Sequence, residues 1–205
     1  MTFQLKYSEV LQGSFQPGAL NLMILFQVNC PGCFLNAFPQ MIHLHSKYQG
    51  KLSCFALSTA FEDFELNTPE NTRRLLRENH LIGEPQKAFE ENKLVWNKVI
   101  PFPVLFDTII SRGEMLHPQF IDDIISSHPH FTRTSDPQEL KDSLYNYFNH
   151  YQRCGFTFAS NLFQGTPTFV LFNKSMDILM RWFGHVDSQA IEEKLNTYLQ
   201  LCKNE

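Results

Sequence analysis

The chain carries no surplus of basic charge: 17 Lys and Arg stand against 21 Asp and Glu, a formal net charge of -4. Non-specific binding to nucleic acid or to an anionic membrane needs a basic face, so neither is expected as a partner. Long apolar runs are also missing. The longest unbroken one, Leu22 to Phe26, falls far below the ~20 residues of a membrane span. Met1-Thr2-Phe3-Gln4-Leu5-Lys6 lacks the basic-then-apolar layout of a secretory signal, which makes a cytoplasmic location the expectation. Internal repeats, low-complexity tracts and Ser/Gly linkers are absent too. Cysteine is sparse and odd in number, with Cys30, Cys33, Cys54, Cys154 and Cys202 at irregular spacings, which excludes a disulfide framework.

What is present is 205 residues, 43% hydrophobic and 19% charged, enough to bury a sizeable core as one domain over 1–205. Twenty Phe residues point to an aromatic-rich interior. Leu20 to Val28 is a continuous apolar run of strand length, the pattern of a central strand buried on both faces. It ends directly before Cys30-Pro31-Gly32-Cys33. Beyond Pro31, the positions Phe34, Leu35, Phe38, Met41, Ile42 and His45 recur at helical spacing, with Pro39 inside the pattern as a kink. Lys51 to Ser58 reads as a second strand, parallel to the first across the helical connection. Thr68-Pro69 opens a helix that Glu84-Pro85 limits, and Phe102 to Asp107 is a third parallel strand. Residues 112–160 read as helical rather than stranded, with one helix starting at Asp136-Pro137 and striped by Leu140, Leu144, Tyr147, Phe148 and Tyr151. Thr168–Phe172 and Asp177–Phe183 form a hairpin, and Asp187-Ser188 caps a last helix.

A Cys-x-x-Cys at a strand-to-helix junction has chemistry available to it. Helix N-terminal N–H groups and the helix dipole stabilise an anion, which lowers the pKa of a cysteine placed there. Two intervening residues bring the second sulfur within disulfide reach. The first thiolate can attack a partner disulfide and the second can release the mixed disulfide. The competing readings are half of a zinc site and coincidence. Structural zinc requires a second ligand pair, yet the chain holds no other Cys-x-x-Cys, and His43/His45 and His128/His130 are too closely spaced. No metal and no cofactor are expected.

With these elements placed, the sequence resembles the thioredoxin-like superfamily. The resemblance rests on the strand entering Cys30-Pro31-Gly32-Cys33, on Pro39, and on Gly165-Thr166-Pro167-Thr168-Phe169 leading into a hairpin and a final helix. Within the superfamily it is similar to the TlpA/ResA-type thiol–disulfide oxidoreductases and their redoxin relatives. Those carry an extra strand and helix between the second strand and the cis-proline strand, as Phe102–Asp107 and the preceding helix do here. A DsbA-type protein, with a helical insertion but without that strand, ranks second.

The resemblance implies an α/β thioredoxin-like fold, a mixed sheet flanked by helices, with a helical insertion at about 108–160 before the cis-proline strand. It implies that Cys30 and Cys33 are catalytic and form the redox-active disulfide. It further implies that Pro167 is cis and that Thr166 and Pro167 hold the substrate chain by strand addition. The partners implied are protein or small-molecule disulfides and an electron donor. The insertion is expected to flank the Cys-x-x-Cys face and shape partner choice.

Three positions depart from the family pattern. Asn29 stands where thioredoxins usually have Trp, Ile24 where they carry a buried Asp, and Asn36 or Ala37 where TlpA/ResA-type proteins often carry Glu. The resemblance therefore supplies no general base for Cys33. Two other functions share the fold: a thiol peroxidase, for which Cys30 occupies the place of the Thr in a T-x-x-C motif, and a non-catalytic binding module.

The remaining chemistry-bearing residues have plainer readings. Cys54 is a core thiol, Cys154 a loop cysteine before the cis-proline strand, and Cys202 lies near the carboxyl terminus. Glu62-Asp63-Glu65 is a solvated loop. Asp122, Asp123, His128 and His130 match no metal motif and read as a surface helix end. His185 is a surface or core imidazole, and the face of Tyr145, Tyr147, Phe148 and Tyr151 packs in the core.

Overall fold

The computed structural model describes residues 1–129, 131 and 136–201, the last without its side chain. Two central strands, β2 (Leu20–Phe26) and β3 (Ser53–Ser58), run parallel and are buried almost throughout. β4 (Val104–Asp107) adds parallel to β3. β7 (Thr168–Asn173) pairs antiparallel with β2, and β8 (Ile178–Phe183) completes the hairpin. On the far side β1 (Tyr7–Gln12) pairs antiparallel with β4, giving the order β1-β4-β3-β2-β7-β8. β1 has no counterpart in the sequence reading. None of its six residues is buried and half are exposed, so no apolar run announces it.

Each central strand alternates between two cores. Leu22, Ile24 and Phe26 of β2 point to one side with Cys54 and Ala56 of β3, and Met23 and Leu25 point to the other with Phe55 and Leu57. The first side is covered by α1 (Phe38–Lys47), α2 (Pro69–Glu78), α3 (Gly83–Glu91) and α8 (Ser188–Leu201), through residues such as Met41, Leu75, Phe89 and Ile191. The second side is covered by the insertion: α4 (Arg112–Met115), α5 (Pro118–Ser127), α6 (Pro137–Asn149) and α7 (Phe156–Ser160). Met115, Ile121, Ile124, Leu144, Phe148 and Phe158 bury there against the sheet.

One expectation about the insertion needs correction. It is not wholly helical: β5 (Ile109–Ser111) and β6 (Arg153–Gly155) pair antiparallel and close its base. A sheet with two apolar faces needs both covered, and the insertion is the cover for the face opposite α1. The break between α2 and α3 also falls earlier than Glu84-Pro85, at the left-handed Asn79 and at Gly83.

Candidate functional site

The site begins where β2 runs out. Gln27, buried at 2% exposure, follows Phe26, and its carbonyl accepts the Cys30 N–H at 3.1 Å. Pro31 and Gly32 open a helical turn, with Pro31 in the first turn where its missing N–H is harmless. From Cys33 to Ala37 the turn is wide: the Phe38 N–H reaches back to the Cys33 carbonyl, five residues away. Pro39 has no N–H to give a regular helix, and this π-type turn lies directly before it. The expected interruption at Pro39 is thus a widened turn that sets the path of the chain just beyond Cys33.

Cys30 is half-buried and Cys33 fully buried, and both are free thiols. Their ionisation is pushed in opposite directions. Cys30 is lowered to about 6, chiefly because the Cys33 thiol donates to its sulfur, against the opposing effect of burial; the Thr166 hydroxyl and the N–H groups of Cys33 and Gly32 help further. Cys33 is raised well above its usual value, first by burial and then by the negative charge and hydrogen bonding of Cys30. One sulfur is a ready nucleophile at neutral pH. The other holds its proton until the first is consumed.

The opposite wall is the segment before β7. Thr166-Pro167 is a cis peptide bond. Pro167 packs on the motif, its Cδ 3.6 Å from where a Cβ on Gly32 would stand. The Cys30 thiol donates to the Thr166 carbonyl at 3.4 Å. Cys30, Cys33, Thr166 and Pro167 are therefore brought together as the sequence predicts. Gly165 permits the approach from behind, since a Cβ there would sit 2.8 Å from the Phe183 ring.

Two further residues belong to this site and were not read from the sequence. Gln27 accepts from the Thr166 hydroxyl through Oε1 at 3.2 Å and donates through Nε2 to the Glu62 carbonyl at 3.4 Å. Asn29, noted only as a departure, donates to Asp63 through Nδ2 at 2.7 Å and accepts from the Glu84 N–H through Oδ1 at 2.9 Å. Its own N–H donates to Asn67 Oδ1 at 3.0 Å. The signal available for Gln27 was a polar residue at the very end of an otherwise apolar strand. Ile24 lies in the core, so no acid stands at that position.

The other candidates fall outside the site. Cys54 is a buried strand thiol pushed up to about 12 by burial. Cys154 is not a loop cysteine: it lies in β6, 1% exposed, and burial raises its pKa. Asp122 and Asp123 are exposed on α5, where Asp122 pairs with Lys141 at 2.7 Å. His128 is corrected from surface to interior: its ring turns back over the end of α5, with Nδ1 2.8 Å from the Ile124 carbonyl, is 3% exposed and packs face to face on Phe131. His130 and Cys202 lie outside the described residues. His185 is exposed, and of the aromatic face only Phe148 is fully buried, with Tyr147 at 38% exposure. Among the described residues no three His, Cys, Asp or Glu side chains are grouped as a metal site, and no helix is long and apolar enough to cross a membrane.

A thiol–disulfide isomerase from Corynebacterium glutamicum is similar over 97% of this chain and 96% of its own, with a TM-score of 0.60 and 18% identity. This chain has a thioredoxin-like fold. A second structure, a thioredoxin-like superfamily protein, matches over 97% of this chain and 96% of its own at a TM-score of 0.59 and 18% identity. No family model and no curated protein matches the sequence. The thioredoxin-like fold is what places the Cys-x-x-Cys and the cis-proline side by side here, from positions 134 residues apart in the chain (167 minus 33).

Proposed function

We propose that the protein is a thiol–disulfide oxidoreductase that reduces partner disulfides through Cys30 and Cys33. The observation that carries this reading is the division of labour between the sulfurs, a partly accessible Cys30 lowered to about 6 and a buried Cys33 that keeps its proton. The Cys30 thiolate attacks one sulfur of the partner disulfide. A new S–S bond forms, the partner's S–S bond breaks, and its second sulfur leaves as a thiolate that takes up a proton. Consumption of the Cys30 charge removes the part of the rise in Cys33 that Cys30 supplied, burial being the larger part; Cys33 then loses its proton and attacks Cys30. The partner leaves as a dithiol, and the chain is left as the Cys30–Cys33 disulfide, two electrons poorer. A dithiol donor must return those electrons by the reverse exchange. The partner chain lies along the backbone at Thr166 and Pro167, where strand addition supplies its hydrogen bonds. Reduction is the productive direction in a reducing compartment such as the cytoplasm.

The test is equilibration in graded redox buffers, followed by alkylation and mass spectrometry of the five cysteines. The expected result is one reversible two-electron transition confined to Cys30 and Cys33. A midpoint near the thioredoxin value of about −270 mV marks a reductant, and one near about −120 mV an oxidant. The order of attack has its own check: Cys33→Ser accumulates mixed disulfides with partners and Cys30→Ser does not. Absence of any transition at the pair, or equal trapping by both variants, removes the reading.

A further inference from the structure

We infer that Gln27 is a positioning residue of the dithiol, setting the acidity of Cys30 by competing for the one proton of the Thr166 hydroxyl. This inference rests on the assignment of Cys30 as the attacking thiolate.

Gln27 is a buried amide at a strand end whose neighbours are apolar, and its main-chain carbonyl and both ends of its side-chain amide are engaged within the site. Its main-chain carbonyl takes the Cys30 N–H, and its main-chain N–H is directed to the Cys33 sulfur. Its side chain spans the gap from the Glu62 carbonyl to the Thr166 hydroxyl. That hydroxyl donates to Gln27 Oε1 at 3.2 Å and, by hydrogen bonding, favours the ionised form of each sulfur, Cys30 and Cys33. A hydroxyl has one proton to donate.

The competition has a definite sign. With Cys30 neutral, its thiol donates to the Thr166 carbonyl and the Thr166 hydroxyl donates to Gln27, so every group is satisfied. With Cys30 ionised, the thiolate is the stronger acceptor and draws the hydroxyl proton. Gln27 Oε1, enclosed at 2% residue exposure, then loses its partner. An unpartnered buried acceptor is unfavourable, so Gln27 penalises the thiolate and keeps Cys30 less acidic than the motif alone would make it. The charged residues that hydrogen bonds tie to this face are Asp63, held by Asn29, and Glu62, whose carbonyl accepts from Gln27. Both are exposed acids.

The test is the pH dependence of Cys30 alkylation in the full reduced chain, with substitutions of opposite effect. Gln27→Met keeps the bulk and removes the acceptor, and the Cys30 midpoint falls by about half a unit to one unit. Gln27→Glu provides a stronger acceptor and a like charge, and the midpoint rises. Loosened packing would shift both variants the same way. Thr166→Val removes the shared proton: the midpoint rises, and adding Gln27→Met then produces no further fall. Met and Glu shifts of equal sign, or a Met effect that persists beside Thr166→Val, overturn the inference. Thr166→Val is informative even where the Gln27 variants fail to fold, because a wild-type midpoint in it also overturns the relay. A wild-type chain whose Cys30 titrates like an ordinary thiol refutes the dithiol assignment itself. A depressed wild-type midpoint with indifferent Gln27 variants refutes only the role of Gln27.

Discussion

At the scale of single residues, the site works by separating two chemically identical side chains. Three of the four described cysteines are buried and resist ionisation, and only Cys30 combines access with a low pKa. Its value of about 6 gives a measurable signature in the reduced protein. Between pH 7 and pH 5 a thiol of this kind passes from roughly nine-tenths to one-tenth ionised, so its alkylation rate falls about tenfold. An ordinary thiol loses about a hundredfold over the same interval. A tenfold fall confined to Cys30, with Cys54 and Cys154 unreacted until the chain unfolds, is the expected result of timed alkylation and mass spectrometry. The residues legible in advance were those that a motif fixes: the Cys-x-x-Cys and the Thr-Pro before a strand. Gln27 and Asn29 were not legible, because a polar residue at a strand end looks the same whether it meets water or a buried hydroxyl. Only the fold, by bringing Thr166 across to β2, distinguishes them.

At the scale of elements, the polar shoulder beside Cys30 is built to a close tolerance. Gly83 opens α3 with φ +57°, a left-handed conformation, and a Cβ there would collide with Asn29 Oδ1. Gly83→Ala therefore meets both backbone strain and a displaced Asn29, and a loss of about 1–3 kcal/mol is expected in denaturant unfolding. Replacing Asn29 by Ala in the same chain relieves the collision but not the strain. The double variant should therefore be more stable than the two single losses added together, while strict additivity would deny the contact. Periodicity and caps made the central elements readable: β2, β3, β4, the α2 start at Thr68 and the closing hairpin all stand where the apolar runs and capping residues put them. β1 and β6 were not readable for a physical reason. One is an exposed edge strand, and the other is three residues long, held by pairing to β5 rather than by any pattern of its own.

At the scale of the whole molecule, the insertion and the sheet are joined by a buried carboxylate. Asp107, at the end of β4, is fully buried and accepts from the Thr59 hydroxyl at 2.8 Å, the Thr157 N–H at 2.9 Å and the Phe158 N–H at 3.2 Å. It thus ties β4 and the loop after β3 to the start of α7, and Gly155 leaves room for the contact because a Cβ there would strike both Thr59 and Asp107. Burial raises Asp107 to about 6 despite these three donors. The sign follows from linkage. An acid with a higher pKa when folded binds its proton more tightly in the native state, so its contribution to stability is full below the unfolded value of about 3.9 and is lost as pH rises through about 6. The interval corresponds to about 3 kcal/mol as an upper figure. Asp107→Asn removes the titration while keeping the shape, at the loss of one acceptor among the three donors. In denaturant melts at pH 4 and at pH 7, the advantage of the wild-type chain over Asp107→Asn should therefore be larger at pH 4, by up to about 3 kcal/mol. An advantage independent of pH would mean that Asp107 ionises in the folded chain as it does in the unfolded one, with its three donors offsetting burial in full.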